Sequence, residues 1–164
     1  MHLLSAIIAV LLAGISPAGA GPLAPSQDLL TGTWECGPTF MKGPQLVMTV
    51  VTVTKRAADR TFVSTSTSVI TPRGKPAITL IDSARGTWRL EGRILISAFQ
   101  ESKFISASDP TISAELGQKL QDDQLRNKSI YKAEILQINR KSMRFIPVGS
   151  DYSEAVVESN CRKI

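Results

Sequence analysis

Few side chains in this sequence could perform chemistry, and their spacing narrows the field further. The one histidine is His2, inside an apolar leader. Beyond it no imidazole is present, so neither a Ser-His-Asp arrangement nor a histidine-ligated zinc site can be assembled. The two cysteines, Cys36 and Cys161, form no Cys-x-x-Cys pair, and no ligand cluster surrounds them. Glu35, Asp82, Glu91, Glu101, Glu134 and Glu158 have the residue type for a glycosidase-like carboxylate pair. Each reads more simply as a solvated strand or turn residue, and Asp122-Asp123 as a pair on a helix surface. No Gly-rich phosphate loop, EF-hand loop or nucleophile elbow occurs. The expectation is a protein without catalytic residues, metal or cofactor.

The elements that must position these residues are mostly strands. Residues 29–36 open the folded part, and 45–55 and 61–71 are dense in Val and Thr, which suit a pleated surface. A turn over Ala57–Arg60 joins the latter two into a hairpin. Residues 77–82 form the next strand and lead into Arg85–Leu90. There Arg85, Thr87 and Arg89 alternate with Gly86, Trp88 and Leu90. A two-residue turn at Glu91-Gly92 leads to a strand over 93–99, with 103–106 continuing it after a kink. Asp109 as N-cap and Pro110 at the first position begin a helix reaching about Arg126. Its stripe of Ile112, Leu116 and Leu120 is expected to pack on the sheet, with a partner-binding face as the alternative. Strands over 129–138, 142–148 and 154–161 close the chain, with turns at 139–141 and 149–151. Short connections between consecutive strands predict an antiparallel meander.

Residues 1–20 differ in kind from the rest. Apart from Ser5 and Gly14, residues 3–15 are apolar, and Ser16-Pro17 and Ala18-Gly19-Ala20 follow. The run is too short for a bilayer, which needs about 20 residues. It reads as a signal peptide cut after Ala20, the alternative being an uncleaved anchor. Gly21 follows rather than a lipid-accepting cysteine. Residues 21–28 form a flexible lead-in, and 29–164 one domain. In an exported chain an isolated pair of cysteines reads as a disulfide, the alternative being two free thiols. A Cys36–Cys161 bond would join the end of the first strand to the end of the last. It would turn the meander into a closed or nearly closed barrel.

Leu30-Thr31-Gly32-Thr33-Trp34 resembles the Gly-x-Trp opening of the calycin superfamily, and more closely small bacterial exported lipocalin-like proteins. The resemblance implies a mainly β fold, a small barrel with one amphipathic helix. It implies a structural role for Gly32 and Trp34, with Arg162 from the last strand stacked beneath the indole. Avidins open similarly, but Glu35-Cys36-Gly37-Pro38 does not match their biotin-holding residues. The helix also lies between middle strands, whereas lipocalins place theirs after the eighth. No ligand identity transfers.

The candidate ligand residues are Phe62, Ser64, Ser66, Ser68 and Ile70, if that face of the 61–71 strand turns inward, together with Trp88. The preferred reading of the stripe is the opposite one, with Val63, Thr65, Thr67 and Val69 inside and the serines in solvent. Low aromatic content, 5%, argues against a ring-stacking pocket. The net charge of +5 draws on Lys55-Arg56, Arg60, Arg73, Lys75, Arg85, Arg89 and Arg93. It is either scattered solubilising charge or a face for anionic partners. Nucleic acid ranks last among these, since no aromatics interleave the charges. Asn127-Lys128-Ser129 matches the short glycosylation acceptor pattern, which is common by chance. Two functions follow as expectations. One is a periplasmic or secreted binding protein for a small apolar or amphipathic ligand. The other is an inhibitor or immunity-type protein that binds an envelope enzyme.

Overall fold

The computed structural model describes residues 25–149 and 158–164. The expected signal peptide (1–20), the first half of the lead-in (21–24), and the first residues of the last expected strand lie outside the described residues.

A short helix α1 (Gln27–Leu30), capped by the Ser26 hydroxyl, precedes eight strands. They are β1 (Gly32–Lys42), β2 (Leu46–Arg56), β3 (Thr61–Pro72), β4 (Ile78–Glu91), β5 (Ile94–Ala107), β6 (Ile130–Ile138), β7 (Ser142–Pro147) and β8 (Ser159–Lys163). Helix α2 (Ala114–Asn127) lies between β5 and β6. Each strand pairs antiparallel with the next, and β8 returns to β1, giving a closed meander barrel. Closure leaves few free strand edges, which is the physical advantage of wrapping a meander.

The closing seam is short. Trp34 faces Lys163, Glu35 faces Arg162 and Cys36 faces Cys161. The two sulfurs are at bonding distance, 2.09 Å. Cys36 stands in the middle of β1 and not at its end, because β1 continues beyond a bulge to Lys42. The two middle regions expected as broken strands are continuous. β4 runs unbroken through Asp82–Arg85, and the kink in β5 is made by bulges that leave Gln100 and Ile105 without cross-strand partners on β4. The β4–β5 turn is Gly92-Arg93, one residue later than expected. Glu91 pairs with Ile94, and Gly92 takes the positive φ of 59° that the turn needs.

α2 corrects two expectations. Its N-cap is Ser113, whose hydroxyl accepts from the Leu116 amide at 3.1 Å. Asp109 instead closes a local turn, accepting from the amide and hydroxyl of Thr111. The packed face is also different. Gly117 is the buried residue, set against the Phe104 ring, whereas Leu116 and Leu120 are 44% and 50% exposed. The reason is the edge of β5. Only Ile94–Ala98 pair with β6, so the later part of β5 has no strand neighbour on that side. There the Phe104 amide donates to Gln118 Oε1 at 3.0 Å, and Gln118 Nε2 donates to the Ser102 carbonyl at 2.9 Å. One side-chain amide thus mimics a paired backbone unit and covers an exposed edge.

Candidate functional site

The closed end of the barrel is built first by the sequence around Trp34. Trp34 and Leu30 are fully buried, and the indole Nε1 donates to the Leu30 carbonyl at 3.0 Å. Lys163 supplies the cation at this ring, with its Nζ 5.2 Å from the ring centroid. Arg162 does not occupy that place. It lies on the outer face and pairs with Glu35 at 2.7 Å. Directly opposed residues share a face and a one-residue step reverses it, so Trp34 on the inner face selects Lys163 over Arg162. Gly32 is fixed by the same contact. At φ +113° a Cβ there would sit 2.6 Å from Lys163 Cε.

Pairing across β1–β5 stacks the inward side chains in tiers. The deepest holds Gly32, Arg56, Phe62, Gly86 and Phe99. Above it come Trp34, Thr54, Ser64, Ala84 and Ser102, then Cys36, Thr52, Ser66, Asp82 and Phe104. Val50, Ser68 and Leu80 follow, and Met48, Ile70 and Ile78 lie farthest from the closed end. The inner face of β3 is therefore Phe62, Ser64, Ser66, Ser68 and Ile70. This overturns the preferred reading of the stripe: Val63 is 58% exposed and Phe62 4%. The β-branched residues lost to the alternation set by Phe62, which meets the Phe99 ring edge-to-face at 5.3 Å. Trp88 also points inward, across from Ser97, which in turn opposes Tyr131.

Burial changes along these tiers. Phe62, Ser64, Thr54 and Trp88 are buried, whereas Thr52, Ser66, Ser68, Ile70 and Leu80 are only half-buried although they face inward. Exposure of the inner wall thus increases toward the end where Leu46 pairs with Pro72. Thr52 and Ser66 share a hydroxyl hydrogen bond of 3.2 Å on this wall.

The residue that sequence reasoning misplaced is Arg56. Beside Lys55 it reads as surface charge, but it lies in the deepest tier and is 8% exposed. Its Nε and Nη1 have no hydrogen-bond partner among the described residues, and neither has the buried Trp88 Nε1. Burial lowers the Arg56 pKa to about 10, so the guanidinium keeps its charge at neutral pH. The nearby Tyr131 cannot serve as its counter-ion, because burial pushes that hydroxyl up to about 12. An uncompensated buried ion costs several kcal/mol. The signal was present in the alternation itself: an inward Thr52 and Thr54 imply an inward Arg56.

Four of the six candidate carboxylates stand in ion pairs with basic side chains. Glu35 pairs with Arg162, Glu91 with Arg89, Glu101 with Arg85 and Lys103, and Glu158 with Arg144. Asp82 lies on the inner wall, opposite Ser66 and Phe104, and burial raises its pKa to about 6. No group of three metal-ligating side chains occurs among the described residues. Two open depressions of about 290 and 190 Å³ adjoin on the outer wall around Arg85 and Glu101. No protein-family model matches the chain, and no curated protein matches it.

Proposed function

We propose that the protein is an exported, non-enzymatic binding protein of lipocalin-like design that holds a small amphipathic ligand inside its barrel. The observation that carries this reading is the inner wall. Leu30 and Trp34 seal one end, whereas the inward residues near the other end are half-open to water. Between the ends, Thr52, Thr54, Ser64, Ser66 and Ser68 line the wall with hydroxyls where an interior built only for stability would carry aliphatic side chains. Small-ligand sites combine apolar lining with a few placed polar groups, and this wall has both. The disulfide supports an oxidising compartment. Among the described residues no helix is long and apolar enough to cross a membrane.

Native mass spectrometry of the protein recovered from cells that export it tests the proposal. The expected spectrum carries a small-molecule adduct lost at modest collision energy, and the stripped protein takes up an environment-sensitive amphipathic dye. Ser66→Trp, which fills the wall, abolishes that uptake. A bare mass together with dye uptake unchanged in Ser66→Trp contradicts interior binding.

A further inference from the structure

We infer that the closed end of the barrel is a receptor for a carboxylate head on the ligand, with the Arg56 guanidinium as counter-ion and the Trp88 indole N–H as a second donor. This inference rests on the reading of the barrel as a ligand carrier.

Among the described residues the buried side-chain groups left unsatisfied are all donors. Arg56 offers N–H groups only, and Trp88 offers one more. A ligand group that satisfies them must accept hydrogen bonds, and it must be negative to compensate a buried cation. The planar guanidinium matches the planar carboxylate in shape as well as charge. One buried cation also selects a single negative charge, since a dianionic phosphate would leave a surplus charge away from water. Among the described residues the barrel supplies no such partner itself. Tyr131 stays protonated. Asp82 stands two tiers away, at four residues along β2, which is roughly 13 Å of strand, and the shift of its carboxyl is caused by burial with no cation contributing.

The route to Arg56 describes the rest of the ligand. Phe62 opposes Arg56 on the neighbouring strand and its ring meets Phe99, and one tier nearer the open end stand the hydroxyls of Thr54 and Ser64. A small monocarboxylic acid with an apolar body fits this order, head inward.

Titration of the purified protein with octanoate and with 1-octanol, followed by calorimetry, tests the inference. Octanoate is expected to bind at least 10-fold tighter than 1-octanol. Arg56→Met removes that preference, weakening octanoate at least 10-fold more than 1-octanol. Trp88→Phe keeps the ring and deletes only the N–H, and it weakens octanoate about threefold without affecting the alcohol. Should Arg56→Met fail to fold, this selective loss in Trp88→Phe carries the test, and its absence overturns the inference. Equal binding of acid and alcohol overturns the carboxylate receptor and leaves the carrier reading standing. Binding of neither overturns both.

Discussion

Lys163 reaches beneath Trp34 while Arg162, one residue earlier, turns outward to Glu35. Two adjacent cations on one strand thus have different energetic weights. The Lys163 ammonium lies at the indole and 3.5 Å from the Leu29 carbonyl, and its stem fills the space that Gly32 leaves. Lys163→Ala should destabilise the protein by about 1–2 kcal/mol, through lost packing and cation–π attraction. Arg162→Ala removes a solvent-exposed pair and should change stability by no more than about 0.5 kcal/mol. Urea unfolding of both variants decides the order, and the reverse order contradicts the face assignment.

The disulfide spans 125 residues of sequence and lies in the seam that closes the barrel. In the chain-entropy model a loop of this size contributes about 4–5 kcal/mol. The double variant Cys36→Ser, Cys161→Ser should lose about that much in denaturant unfolding. A loss below about 1 kcal/mol would mean that the remaining β1–β8 and β7–β8 pairing closes the barrel unaided.

Helix α2 docks through Gly117 and Gln118. A Cβ on Gly117 would fall 2.5 Å from the Phe104 ring, so Gly117→Ala forces ring or helix to shift. The expected cost is about 1–3 kcal/mol. Leu116→Ala and Leu120→Ala, on the exposed flank, should cost less than about 0.5 kcal/mol each. Thermal melts that rank the leucines above the glycine would restore the face expected from helical periodicity.

The Asp82 carboxyl faces Ser66 and Phe104 across the sheet, with its pKa raised to about 6 by burial. The folded protein therefore holds a proton there that the unfolded chain releases near pH 4. Stability contributed by this group falls as pH rises from about 4 to 6 and stays low above that. After discounting for partial exposure, Asp82→Asn should be more stable by about 1–2 kcal/mol at pH 8 and equal to the native protein near pH 4. Identical pH profiles of urea midpoints for the two proteins would contradict an interior Asp82.

Strand order, the meander and the cysteine pairing were legible because β-branched runs, turn residues and an isolated cysteine pair are local or countable signals. The faces were harder. On β3 both alternating sets are small or β-branched, so composition could not choose between Ser64 and Val63. The choice came from Phe62 meeting Phe99, a contact between strands far apart in sequence. Periodicity named Leu116 and Leu120 as the packing stripe of α2, but the bare edge of β5 favoured an amide and a glycine instead. Arg56 was hidden for a similar reason. Beside Lys55 it reads as surface charge, and only the register with Trp34 and Thr54 reveals its depth.

The stability of ligand-free Arg56→Met tests most directly whether the barrel interior is kept for a ligand. A guanidinium retained for binding is a liability in the empty protein, because its buried Nε and Nη1 have no partner among the described residues. Urea unfolding of protein stripped of small molecules should show Arg56→Met more stable than the native chain by about 1–3 kcal/mol. A variant less stable than the native chain would mean that Arg56 holds the fold together, and the account of a receptive interior would be wrong.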